Sequence, residues 1–319
     1  MFTGEGALQP PFSLHLGGAL GVSLFFIISG YLITALLLRE KERCGKISLG
    51  KFYARRALRI FPAFYLYLIV VVIMRQSHLL VVPMHALIAS GGYFYNFYTP
   101  PPGPDVLGHT WSLSIEEQFY FVWPFVLAYA SRTASIGVGL AGVAAWPLLR
   151  FAKHGYFYAP VPATAIQSTA LDTILWGSLL AIATFERPAA REWIRGKAYL
   201  FYLSVVCILA IYALRYQWPE QLSFVLPLLR NVCLTAILWW SINSPDHAVG
   251  RLLESRPAVF IGWISYSLYI WHGLLNGCDW WVCGFPQRVV LAFLVSVASY
   301  QIVEKPFNRL RSRLHTEKP

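Results

Sequence analysis

The sequence predicts an all-α fold, a polytopic membrane helical bundle of about nine to ten transmembrane segments. Three observations carry that expectation. Of the 319 residues, 57% are hydrophobic and only 13% are charged, against about 25% charged in a soluble domain. Apolar runs recur along the whole chain, and most approach the about 20 residues that a helix needs to cross the bilayer core. Trp and Tyr gather near the ends of these runs, as interfacial anchors do. Such a chain is neither disordered, which would require low hydrophobicity, nor solvated by water alone. Lys and Arg number 26 against 15 Asp and Glu, a net charge of +11. In a membrane protein that excess marks cytoplasmic loops rather than a nucleic-acid surface.

In chain order the runs cover residues 17–38, 57–74, 79–97, 113–130, 134–149, 169–185, 198–214, 222–242, 259–276 and 289–303. Each must be helical if it spans, because lipid offers the backbone no partners. No soluble domain interrupts them. One integral-membrane domain is therefore expected over 1–319, with a polar lead over 1–16 and a basic cytoplasmic tail over 305–319. No cleavable signal peptide is expected, since the lead is polar and no A-x-A site follows the first apolar run.

Orientation follows from the cations. Arg39, Lys41, Arg43, Lys46, Lys51, Arg55, Arg56 and Arg59 form one cluster, and Lys305, Arg309, Arg311, Arg313 and Lys318 form another. The positive-inside rule places both in the cytoplasm. If every run after the first crossed, the crossings between the clusters would be odd in number and would separate them. One run is therefore expected not to cross. Residues 79–97 contain Pro83, His85 and the Gly91, Gly92 pair; residues 134–149 are short and contain Gly137, Gly139, Gly142 and Pro147. Either choice places Arg187, Arg191, Arg195 and Lys197 inside, with Arg251 and Arg256. It also turns the CDWWVC segment outward, where a disulfide between Cys278 and Cys283 is chemically permitted. The cysteines have no C-x2-C spacing and no accompanying His pair, so no metal site is expected.

Polar groups inside lipid are expensive, so each is a functional candidate. Arg55, Arg56 and Arg59 stand at the cytoplasmic mouth of a helix, with Arg55 and Arg59 on one face. They suit bidentate phosphate binding, or equally a positive-inside anchor against lipid head groups. In GHTWSLSIEEQFY, starting at Gly108, two carboxyls enter an apolar helix. Glu116 shares a face with Tyr120, and Glu117 points elsewhere. A carboxyl there can serve proton exchange or complement the helix dipole. Ser265, Tyr269, His272 and Asn276 fall on one helical stripe, either interhelical glue or a site. Asp172 is a lone acid in an apolar run and requires a partner, an Arg or a hydroxyl. Alone, these residues fit an enzyme or a transporter.

The motifs together say more. GVSLFFIISGYLIT (21–34), RRALRIFP (55–62), HTWSLSIEEQFYFVWP (109–124), the Asp172 stretch, SYSLYIWH (265–272) and EKPF (304–307) occur in this order. The chain thereby resembles the integral-membrane acyltransferase-3 family, which O-acylates bacterial surface and exported glycans. The resemblance implies transfer of an acyl group, often acetyl, from cytoplasmic acyl-CoA to a sugar hydroxyl in the bacterial inner membrane. It implies acyl-CoA as co-substrate, a carbohydrate acceptor and no metal or redox cofactor. Arg55, Arg56 and Arg59 would bind the donor, Glu116 would be a required active-site acid, and His109 and Asp172 would join the substrate site. Members also begin with a further helix carrying an Arg and, a few turns on, a His that accepts a proton. The chain starts where that helix should end, and His15 lies too close to Gly21 to replace it. Ser23 stands where many members have Asp, and Ala170 where they often have Arg.

Three explanations fit the missing helix. The start given lies downstream of the native one, the chain is a truncated and inactive remnant, or His272 has taken over as base. If residues 79–97 fail to cross, Glu116 and His272 both lie towards the outer face, far from the arginines. If 134–149 fail, Glu116 is level with the arginines and His272 is not. A carrier or flippase for a lipid-linked sugar or acyl group is the rival from another class, although no matched half-sequences support a repeat-built transporter.

Overall fold

The computed structural model describes residues 12–101, 103, 105–156, 171–185, 187–213, 225–276 and 285–316. The CDWWVC segment, with Cys278 and Cys283, lies outside them. The described residues are helical with no strand, as lipid solvation requires. The helices are α1 (Phe12–Cys44), α2 (Leu49–Gln76), α3 (Met84–Gly91), α4 (Thr110–Tyr129), α5 (Arg132–Tyr156), α6 (Leu171–Phe185), α7 (Pro188–Arg195), α8 (Ala198–Ala213), α9 (Val225–Asn243), α10 (Ala248–Leu253), α11 (Arg256–Asn276), α12 (Phe285–Ser299) and α13 (Lys305–Thr316). A π turn, Tyr300–Glu304, joins α12 to α13. Helix α1 already begins at Phe12, inside the polar lead.

Among the described residues, five helical stretches are long and apolar enough to cross a membrane: Leu20–Cys44, Leu49–Gln76, Val225–Asn243, Arg256–Leu275 and Pro286–Arg311. Helix α4 has 20 residues, a length of about 30 Å, but gives up apolarity to the polar side chains on one of its faces. Helices α6 and α8 are apolar but only 15 and 16 residues long. Large apolar side chains point outward from α2 and α4, including Ile69, Ile73, Phe121 and Val122. Water would penalise so continuous an apolar surface, and lipid does not.

The 79–97 run does not form a spanning helix. Helix α3 has 8 residues, about 12 Å of rise, and a 3-10 turn at Tyr95–Phe97 follows it. His78 and Tyr93 take left-handed backbone, at φ 56° and 58°, and end α2 and the α3 region as C-terminal left-handed residues do. Pro83 caps the start of α3 in extended conformation. The other candidate, 134–149, lies within α5, a helix of 25 residues.

The chain divides into two compact units. One holds Met1–Leu38, Thr133–Tyr158 and Ala170–Asn243. There α1 and α6 meet through glycine. A side chain at Gly177 would strike the Ile27 carbonyl, and one at Gly30 would strike that of Ile174. This is the close backbone approach that small residues permit in membranes. Ile27, Ile208, Cys233 and Leu234 form the core beside it. Gly177→Leu is expected to lower the thermal midpoint of the detergent-solubilised protein by several degrees, since overpacking costs about 1–3 kcal/mol. Gly21→Ala, which meets open space, is the control. A midpoint for Gly177→Leu equal to that control would contradict the packing.

The other unit holds Arg39–Arg132 and Ser244–Pro319. Its core joins Phe64, Tyr67 and Val71 of α2 to Leu107, Leu113, Ile270 and Trp271. Helix α11 packs on α12 and on α2, and α13 lies along α2. Tyr266 of α11 donates to the Ile60 carbonyl of α2 at 2.8 Å.

Candidate active site

The second unit carries a polar seam along α4. His109, Ser112, Glu116 and Tyr120 recur at helical spacing, so they form one stripe. The turn before α4 sets its first member. Asp105 accepts the Tyr95 hydroxyl at 2.7 Å and the Leu107 amide at 3.0 Å, and Tyr67 donates to the Val106 carbonyl at 2.6 Å. These bonds fix the backbone leading into His109.

At this end the His109 ring meets His272 edge-on, with centroids 5.1 Å apart. Tyr67 and Tyr269 flank it, each at 5.5 Å. The Tyr269 hydroxyl donates to the His109 carbonyl at 2.8 Å and is shared with the Ser112 hydroxyl. His272 Nδ1 bonds the Tyr269 carbonyl. A carbonyl only accepts, so this bond puts the neutral ring's proton on Nδ1 and leaves the lone pair on Nε2. Gly273 makes the pairing possible, because a side chain there would strike the His109 ring. Gly273→Ala is therefore expected to displace His109 and cut activity at least about tenfold, as small misplacements of a site do. Activity equal to the unaltered protein would contradict that placement.

At the other end Glu116 is buried and accepts the Tyr120 hydroxyl. The Arg56 guanidinium sits over the Tyr120 ring, its Cζ 4.1 Å from the centroid, a cation–π contact. The three arginines have separate settings. Arg55 pairs with Glu40 at 3.1 Å, and Glu40 also accepts the Ser48 amide at 2.8 Å. Arg59 is within electrostatic reach of Glu304, which accepts the Ser267 hydroxyl. Eleven residues separate His109 from Tyr120, about 16 Å of helix.

The sequence-predicted residues thus divide. His109, His272, Glu116 and the arginines lie in one unit, and of the arginines Arg56 reaches the seam. Of the two placements left open for Glu116, far from the arginines or level with them, the second agrees with the contact seen: Tyr120 links Glu116 to Arg56. His272 meets His109. Ser265, expected on the α11 stripe, is exposed and bonds back to Gly262 of its own helix at 2.9 Å, while Ser267 is the buried hydroxyl. Asp172 belongs to the other unit. Asn231 donates to it at 3.4 Å and to Thr173 at 3.1 Å, and Arg230 donates to Asn231 at 3.1 Å. Asn231 was detectable as a lone amide in an apolar run; Glu40 had no comparable signal. Among the described residues no group of His, Cys, Asp and Glu could hold a metal ion.

The acyltransferase domain of the acyltransferase-3 family matches residues 2–299. The chain belongs to that family. It is 28% identical over 330 residues to the peptidoglycan O-acetyltransferase OatA of Listeria monocytogenes serovar 1/2a (strain EGD-e), covering 93% of this chain and 52% of that protein. The O-acetyltransferase OatA of Staphylococcus aureus (strain NCTC 8325) is 29% identical over 335 residues, covering 92% and 53%. A putative O-acetyltransferase of Staphylococcus aureus (strain COL) is also 29% identical, over 332 residues and the same shares. The chain thus spans about half the length of the curated relatives it matches. No solved structure matches it significantly.

Proposed function

We propose that the chain is a membrane O-acyltransferase. It moves an acyl group, in our reading acetyl, from acyl-CoA to a hydroxyl of a surface or exported carbohydrate, in the bacterial cytoplasmic membrane. The observation that carries this reading is the α4 seam, with Arg56 stacked on Tyr120 at one end and His272 against His109 at the other. Family membership supports the reaction class. The name of the Listeria monocytogenes relative makes peptidoglycan the acceptor to test first.

In this reading Arg55, Arg56 and Arg59 hold the donor phosphates, which favour planar guanidinium partners. The acceptor hydroxyl gives its proton to a base, its oxygen attacks the thioester carbonyl carbon, the C–S bond breaks and the thiol leaves protonated. His272 has the orientation for the base, because its Nδ1 is committed to the Tyr269 carbonyl. His109 positions the ring and the acceptor. Glu116, joined to Tyr120, is the active-site acid beside the donor end. No metal or redox cofactor enters the reaction. Asp172 is given no role in the seam.

The test is product analysis. Proteoliposomes containing the full chain, supplied with isotopically labelled acetyl-CoA and glycan fragments, should yield a labelled ester by mass spectrometry. A carrier would move substrate without forming an ester, and label recovered only as unreacted donor would overturn the enzyme.

A further inference from the structure

Beside the seam lie two polar groups that the mechanism does not use. The adjoining face of α4 carries the turn that follows α3. Thr110 accepts the Ser90 hydroxyl at 3.1 Å, Ser114 accepts the Tyr95 amide at 3.1 Å, and Gln118 donates to the Tyr93 carbonyl at 2.8 Å. Glu117, one turn on from Ser114 and two from Thr110, belongs to this same face. From the other side α2 backs the turn. The Tyr93 ring stacks on Phe64 with centroids 4.8 Å apart and on Phe61 at 6.0 Å, and Tyr65 donates to the Gly91 carbonyl at 3.1 Å. Among the described residues neither Glu117 Oε1 nor the Tyr93 hydroxyl has a hydrogen-bond partner, and both atoms are buried. Such atoms cost free energy and call for a partner. Tyr93 adds a second cost, since it holds left-handed backbone at φ 58°, where glycine is the cheap residue. The stack accounts for its ring but not for its hydroxyl.

The level of the pair suggests the ligand. Glu117 is about one turn from Tyr120 on the way to His109, and Phe61 lies about 7.5 Å of rise along α2 from Arg56. A donor held by its phosphates at Arg56 and reaching His272 must pass this level. Between its phosphates and its sulfur, acyl-CoA has a largely apolar arm interrupted by amides. Each amide offers an N–H and a carbonyl, the complements of a carboxyl oxygen and a phenol.

We propose that Glu117 and Tyr93 form a subsite for an amide of the donor's arm, with Glu117 accepting its N–H and the Tyr93 hydroxyl donating to its carbonyl. The proposal rests on the acyl-CoA reading above. It makes the site select a thioester carried on an amide-bearing arm over a simple one.

The experiment uses the full chain in nanodiscs of neutral phosphatidylcholine. The probes are coenzyme A and its nucleotide portion alone, which keeps the phosphates and lacks the arm. Glu117→Met keeps the length of the side chain and removes both oxygens. It is expected to weaken coenzyme A about tenfold, the size of one lost hydrogen bond to a charged group, and to leave the nucleotide portion bound as before. Glu117→Gln, which retains a carbonyl oxygen, should recover part of the loss. In transfer assays the donor KM should rise with kcat retained. Tyr93→Phe keeps the stack and should weaken coenzyme A by a smaller factor. It should not lower the thermal midpoint of the empty protein, because it removes an unpartnered group. If Arg55→Gln loses coenzyme A while Glu117→Met and Tyr93→Phe bind it normally, the proposal is overturned and the donor reading stands. A lowered midpoint in Tyr93→Phe with coenzyme A binding unchanged marks a structural hydroxyl and also overturns it. So does equal weakening of both probes by Glu117→Met, which would assign the carboxyl to the phosphate end. If the unaltered protein binds neither probe, the donor reading falls and the subsite falls with it.

Discussion

Glu116→Gln is expected to lower the rate of transfer by about 10²–10⁴-fold, the usual contribution of a positioned acid or base. The substitution keeps size and burial, so it probes charge and proton exchange rather than packing. In the structure Glu116 accepts the Tyr120 hydroxyl, and Tyr120 carries Arg56 on its ring. The amide can still accept from Tyr120, so the stack should survive and the donor KM should change little. Kinetics with varied acetyl-CoA separate the two quantities. A large rise in KM with kcat unchanged would place Glu116 in donor binding instead. Tyr120→Phe is the companion: it keeps the ring under Arg56 and removes only the hydroxyl.

The second large effect is expected from Arg55→Gln combined with Arg59→Gln. Each hydrogen bond to a charged group is worth about 1.5–3 kcal/mol. Two lost together should raise the donor KM about 10²–10⁴-fold if they act independently. The pair cannot be read as a simple sum, because Arg55 also holds Glu40 at 3.1 Å and Arg59 is in reach of Glu304. Removing either arginine leaves a carboxylate near an anion site, which adds repulsion to lost attraction. Adding Glu40→Gln to the double variant should therefore recover part of the affinity. An unchanged donor KM in the double variant would remove the arginines from the donor site.

Much of the fold was legible in composition. Lipid forces apolar runs into helices, so the positions of α1, α2, α9, α11 and α12 follow from hydropathy alone. Charge required one non-crossing run, and proline, glycine and length narrowed it to two candidates. Proline and glycine occur in both, and only the tertiary setting shows that His78 and Tyr93 turn left-handed around α3. The site was legible residue by residue but not in its connections. Spacing put Glu116 and Tyr120 on one face. It could not show that α2 supplies Arg56 to that face, or that α11 sets His272 against His109, because such contacts depend on how separate helices pack. Glu40 was hidden for the same reason. A charged residue in a basic stretch reads as a membrane anchor until another helix brings it to a site.

The most direct test of the account is the structure of the full chain in a nanodisc with coenzyme A bound. The account predicts the phosphates among Arg55, Arg56 and Arg59, with the thiol directed along α4 past Tyr120 and Glu116 towards His272. Coenzyme A seated in the unit that holds Asp172, or with its phosphates at the His109 and His272 end, would contradict it.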